Sequence, residues 1–169
     1  MSEFEGFLKS EIVLTEKLSS NTKFDTKYIL QIHKLALGHL YAFAGKYRDV
    51  NLSKGGFPFA SARFLAETMT NFDHEILSRL RNDYPTKEEL IKDIALVHAE
   101  LLFIHPFREG NGRTARILAN LMSRKHGHGS LLFHKVGDTE FELYVSSVQL
   151  AAKKDYRKME EFITSIFPS

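Results

Sequence analysis

Apolar residues recur along this chain at intervals of three and four, the spacing that lines up one face of an α-helix. After a helix-start signal at Asp25 and Thr26, the positions Tyr28, Ile29, Ile32, Leu35, Ala36, Leu40 and Phe43 predict a helix over residues 26–44. A second is expected from about Ala62 to Leu80, with Phe64, Leu65, Met69, Phe72, Ile76 and Leu80 as its inward stripe. The cleanest pattern follows Thr86, which begins a Thr-Lys-Glu-Glu capping sequence and leads into Leu90, Ile91, Ile94, Ala95, Leu101 and Leu102. Pro106 disfavours helical dihedrals at the residue before it, so this helix should stop with His105 at its C-terminal lip. Another helix is predicted from about Arg113 through Ile117, Leu118, Leu121 and Met122 until the stretch KHGHG, ending at Gly129, breaks it. Two more, over about 138–152 and 154–166, close the chain, and residues 1–25 are expected to form an N-terminal helical segment.

One stretch departs from helical spacing. Arg48 to Ala60, RDVNLSKGGFPFA, shows two short extended pieces around Lys54-Gly55-Gly56, which reads as a β-hairpin outside an α-helical body. A lone hairpin is marginally stable, so residues 48–60 are expected to rest on the helices as a flap. The fold class is therefore all-α: a single-domain helical bundle over residues 1–169 with a small β-hairpin flap.

Composition narrows the function classes. The chain has 169 residues, long enough to bury a core without disulfide or metal staples, and is 43% hydrophobic and 26% charged, as soluble globular proteins are. No apolar run approaches the ~20 residues a bilayer requires, and the start, MSEFEGFLKS, lacks the apolar core of a secretory signal. A cytoplasmic location without membrane attachment is expected. The absence of cysteine excludes thiol catalysis, thiolate metal sites and disulfides. A formal charge of +2, with bases interleaved among acids, gives no reason to expect direct nucleic-acid binding, so any anion site must be local.

Such a site is legible in residues 105–116, HPFREGNGRTAR. Gly110-Asn111-Gly112 joins two helices, and glycine there lets a ligand reach backbone amides. The next helix begins at that point, so its unpaired N–H groups and positive dipole end face the same space. Arg113 and Arg116, three apart, share a helix face and can each present a forked donor to phosphate oxygens. Glu109 would sit badly beside phosphates unless a divalent cation intervened, and Mg²⁺ uses one or two carboxylates with the substrate's phosphates. His105 is the group able to take a proton near neutral pH. Together they suit phosphoryl or nucleotidyl transfer. Phe107 reads as packing and Arg108 as a solvated charge. Residues 110–115 also satisfy the dinucleotide fingerprint G-x-G-x-x-A, a reading excluded because a helix rather than a strand precedes it. His126 and His128 lack an assignable third ligand for a metal, and His98 on the long helix reads as a packing histidine.

The stretch resembles the Fic domain motif, H-P-F-x-[D/E]-G-N-G-R-x-x-R, at every specified position. YAFAGKYRDVNLSKGGFPFA at 41–60 and DTEFELYVSSVQLAAKKDYRKMEEFI near the end are similar to the family's flap region and closing helices. The resemblance implies a Mg²⁺-dependent protein adenylyltransferase moving AMP from ATP to a target hydroxyl. His105 would be the base, and Glu109 would hold Mg²⁺. Gly110, Asn111 and Gly112 would cradle phosphates, Arg113 would bind the β-phosphate region, and Arg116 would reach the γ-phosphate. Tyr144 matches a position near the adenine. The flap would hold an extended segment of the target protein, with Phe57 or Phe59 pressing on its side chains, Gly55 and Gly56 forming the turn, and Lys54 assisting near the nucleotide. Many relatives are silenced by a helix bearing [S/T]-x-x-x-E-[G/N]. Glu5-Gly6 is the one candidate outside the active motif, but Met1 stands where Ser or Thr belongs. Glu5 is an internal brake, or the sequence begins inside a longer regulatory region, or inhibition comes from an antitoxin-like partner protein. The alternatives to AMP transfer are the same fold with another donor or acting as a de-AMPylase, and a nucleotide-sensing module without turnover.

Overall fold

The central element is the helix whose sequence is apolar on every side, because only a helix surrounded by others can bury all its faces. The computed structural model describes residues 1–169 and contains seven helices: α1 (Glu3–Lys17), α2 (Thr26–Leu37), α3 (Leu65–Glu75), α4 (Lys87–Ile104), α5 (Asn111–Lys125), α6 (Asp138–Ala151) and α7 (Arg157–Ile166). Short 3₁₀ turns occupy 62–64, 77–79 and 133–135. Helix α4 buries Ile91 and Ile94 along with Val97, Ala99, Leu101 and Ile104, and α3, α5, α6 and α7 pack around it. Helix α1 lies across α2 and α5. Thirty-six buried apolar side chains form one continuous cluster. The all-α body with its small hairpin agrees with the architecture expected from the sequence.

Helix starts follow local chemistry. The Thr86 hydroxyl accepts from the Glu89 N–H, Asp25 caps α2 through the Tyr28 N–H at 2.8 Å, and Ser2 and Glu5 form a reciprocal capping box on α1. Ends follow packing instead. Helix α2 stops at Leu37 rather than 44, and Leu35 within it and Leu40 beyond it are exposed instead of inward. The reason is His33, whose Nδ1 accepts the Gly45 N–H at 2.8 Å and so folds residues 38–45 back onto α2. The second predicted helix is broken as well, with α3 flanked by two 3₁₀ turns and Phe64 half exposed instead of inward. Helix α5 begins two residues before Arg113, because Gly110 takes φ 80° and caps it. Helix α7 starts at Arg157, after a turn in which Lys154 is left-handed at φ 58°. Lys154 and Tyr156 both bind Glu100, a buried carboxylate on α4, which accounts for that turn.

The hairpin is smaller than the 48–60 segment: β1 (Ser53–Lys54) pairs antiparallel with β2 (Phe57–Pro58), Lys54 opposite Phe57 and Ser53 opposite Pro58. Gly55 and Gly56 take φ 57° and 79°, the two positive values a two-residue type I′ turn demands.

Candidate active site

His105 owes its position to the end of α4. Its N–H still bonds to the Leu101 carbonyl at 2.9 Å, but its backbone turns left-handed (φ 54°, ψ 59°), which throws Pro106 and Phe107 away from the helix axis. Its Nδ1 lies 3.2 Å from the Leu102 carbonyl. A carbonyl only accepts, so Nδ1 carries the proton and Nε2 is left with a lone pair. The Phe59 ring stacks on the imidazole at 3.8 Å and 5°. Burial, followed by the charges of Arg48 and Lys54, pushes the His105 pKa down to about 4 and keeps the ring neutral at physiological pH.

The loop that follows is braced from behind by buried side chains. Phe107 is fully buried and stacks on His33 at 3.8 Å. His33 donates from Nε2 to the Glu109 carbonyl at 2.8 Å, its Nδ1 being the acceptor for Gly45. Asn111 closes the loop twice, its Oδ1 accepting from the Phe107 N–H at 2.8 Å and its Nδ2 donating to the Phe107 carbonyl at 2.7 Å. The Asn111 side chain is therefore engaged in building the loop. Gly110 is needed for two reasons: its φ is 80°, and a Cβ there would stand 2.8 Å from the Phe7 ring. The Gly110 carbonyl accepts the first helical bond from Thr114 N–H, so the amides of Asn111, Gly112 and Arg113 have no partner inside the helix. A Cβ on Gly112 would meet nothing within 4 Å, because open space lies in front of it.

That space is a concavity of about 350 Å³ lined by Lys54, His105, Arg108, Glu109, Gly110, Asn111, Gly112, Arg113 and Arg116, with no apolar side chain. Arg116 is exposed and has no carboxylate partner. Its guanidinium sits over Phe133 and Tyr144 at 5.4 and 5.9 Å. Arg113 is held by Glu3 at 3.0 Å and Glu109 at 3.6 Å, and lies 4.4 Å from the Phe7 ring centroid. Glu109 is the sole carboxylate lining the concavity, and no cluster of three His, Asp or Glu residues suited to a metal forms anywhere in the chain. That donor set cannot cage a cation alone, but it fits a Mg²⁺ that arrives coordinated by a polyphosphate.

Two predicted site residues lie elsewhere. Tyr144 is buried, stacked on Phe162 at 4.6 Å, with its hydroxyl 2.6 Å from His98 Nε2. His98 donates its other nitrogen to the Ala115 carbonyl at 3.2 Å, so Tyr144 donates its proton to His98, and burial pushes the tyrosine pKa up to about 12. Tyr144 supports Arg116 from behind and does not line the concavity. Glu5 turns back onto its own helix start, accepting from the Ser2 N–H at 2.6 Å, and makes no contact with Arg116. The acid of α1 that reaches an arginine is Glu3, paired with Arg113, and its carboxyl is held below the usual carboxylate range by the Tyr41 hydroxyl and then Arg113.

On the flap, Phe57 rests on Phe103 at 6.1 Å and on Phe59, so both rings face the body, while Lys54, Gly55 and Gly56 are exposed. The Phe59 N–H bonds to the Leu52 carbonyl, and alternation along the strands turns the Ser53 N–H and C=O outward, along an unpaired edge. Sequence reasoning missed His33, Arg48 and Glu3. His33 had a signal, being a polar residue one turn after Ile29 on the buried face of α2; Arg48 and Glu3 had none.

The sequence profile of the Fic/DOC family matches residues 23–123, more than half of the chain. This chain belongs to the Fic/DOC family. Its curated relatives include the protein adenylyltransferase Fic of Drosophila grimshawi, 29% identical over 151 residues, which are 89% of this chain and 30% of that protein. The protein of the same name from Drosophila mojavensis is 31% identical over 81% of this chain and 26% of its own length. The Fic/DOC chain thus spans under a third of these relatives. Among solved structures, the Bartonella tribocorum effector BepC with bound AMPPNP superposes at a TM-score of 0.76 with 18% identity, covering 99% of this chain and 85% of that one. Fic-1 from C. elegans superposes at 0.70 with 24% identity, over 97% of this chain and 46% of that one. At those identities the structures establish the Fic fold. No helix of this Fic chain is long and apolar enough to cross a membrane.

Proposed function

We propose that this Fic chain is a protein adenylyltransferase that joins AMP from ATP to a hydroxyl side chain of a target protein. The observation that carries the reading is that His105, with Nδ1 engaged and Nε2 unprotonated, lines the same concavity as the first residues of α5 and as Arg113 and Arg116. The target hydroxyl gives its proton to His105 Nε2, its oxygen forms a bond to the α-phosphorus, and the bond to the bridging oxygen breaks so that pyrophosphate leaves. Charge developing on the phosphates meets donors already in place, the amides of Asn111, Gly112 and Arg113 with the two arginines, so little reorganisation accompanies the reaction. Glu109 would hold Mg²⁺ with the ATP phosphates, and the ion would neutralise charge on the departing oxygens. The Ser53 edge of the flap receives the target as an added strand, which presents its hydroxyl to His105.

The test is incubation with ATP, Mg²⁺ and a cell lysate, with mass spectrometry for AMP adducts. His105→Ala should lower transfer by ~10²–10⁴-fold while ATP still binds. Adducts that persist at the wild-type rate in that variant would remove His105 from its role.

A further inference from the structure

We infer that Arg48 is a positioning residue whose buried guanidinium locks both legs of the flap to the backbone of His105. Arg48 lies between α2 and β1 and is only 4% exposed, with no carboxylate partner. A buried guanidinium without a counter-ion is tolerated only where carbonyls take up its N–H groups. Here Nε donates to the His105 carbonyl at 2.6 Å, Nη1 to Val50 at 2.7 Å, and Nη2 to Ile104 at 3.2 Å and to Ala60. The Arg48 backbone N–H adds a bond to the Pro106 carbonyl at 2.9 Å.

These acceptors fall into two groups. Ile104 and His105 are at the negative end of α4, where carbonyls lack helical partners and a cation is favoured. Val50 and Ala60 bracket the hairpin, one on each leg. A single planar fork therefore fixes the distance between the left-handed turn that aims the imidazole and the strands that present the target. Phe59, next to Ala60, is thereby set flat against the His105 ring. A lysine could not do the same, since an ammonium is a point donor on a flexible stem.

This inference rests on His105 being the base, and the experiment separates the two. Arg48→Lys retains the charge and loses the fork. Transfer should fall at least tenfold at saturating ATP, with the Kd for ATP from calorimetry changed less than twofold. The His105 ring titration, followed by NMR and assigned with His105→Ala, should move from about 4 toward 6.5 as Phe59 leaves the ring. If the titration stays where it is, Arg48 does not position the imidazole and the inference fails, whatever happens to the rate. If wild-type protein transfers no AMP but the titration still moves, the positioning role holds and the adenylyltransferase reading fails. Should the variant not fold, wild-type protein decides: a slowly exchanging Arg48 Nε–H supports the lock, and one that exchanges at the rate of solvent-exposed guanidinium groups overturns it.

Discussion

The loop before α5 and the flap above it face one concavity and are held in opposite ways. The loop is built from behind: Phe107, His33 and Asn111 are all buried, and their hydrogen bonds take up the loop's inward carbonyls and amides so that the free amides point outward. The flap has two residues per strand, exposed glycines with nothing near them, and contacts to the body through Phe57, Phe59 and its hinge at Arg48. Stabilising charge in a transition state requires donors that do not move, whereas receiving an extended peptide requires an edge whose own backbone groups are unpaired. On the proposed function the rigid half would serve the nucleotide and the open half the target, with His105 at their junction.

The difference can be broken at its strongest point by Asn111→Ala. That change orphans a buried N–H and a buried carbonyl on Phe107, a loss of about 2–5 kcal/mol, which in a domain of this size lowers Tm by roughly 5–15 °C and weakens ATP binding with it. Thermal denaturation and calorimetry check both, and an unchanged Tm would mean that the loop is not braced by this residue.

Acid attacks the helical body that carries the loop. His98 and His105 have pKa values pushed down to about 3 and about 4, in each case chiefly by burial. The unfolded chain therefore takes up protons first as pH falls. Stability is fully present above about 6.5 and is lost progressively toward pH 3, by several kcal/mol in total. Tm measured across that window should fall, and His98→Gln should flatten the slope.

The flap should answer differently. Phe57→Ala removes one half-buried ring from a two-stranded hairpin, so Tm should move by no more than about 2–4 °C, while KM for the target rises several-fold at constant Kd for ATP. A Tm loss like that of Asn111→Ala would erase the distinction between the two regions. The smallest effect is expected at Glu3→Gln. The Glu3–Arg113 pair is partly exposed and worth about 1 kcal/mol or less, so ATP affinity should increase up to about fivefold at low salt and the gain should shrink as salt is added.

The motif at 105–116 was legible because each residue's contribution is local. Pro106 ends α4 by steric conflict, Gly110 permits a positive φ, and Arg113 and Arg116 share a face by the helical period. The capped starts of α2 and α4 were legible for the same reason. Asn111 was singled out from the string, but nothing there shows that its side-chain amide bonds to Phe107. Tyr144 and Glu5 were singled out by resemblance to family patterns, and such a match carries no information about which side of a helix meets which neighbour.

The sequence alone determined an all-α chain with one hairpin and an anion-binding turn, through propensities, caps and periodicity that act over a few residues. Only the tertiary structure decided that α2 ends at Leu37, that Glu3 rather than Glu5 reaches an arginine, and that Arg48 ties four carbonyls from two distant segments. Such contacts join residues up to 110 positions apart, as Glu3 and Arg113 are. Their geometry is set by how helices pack, a property of the whole core rather than of any stretch of chain.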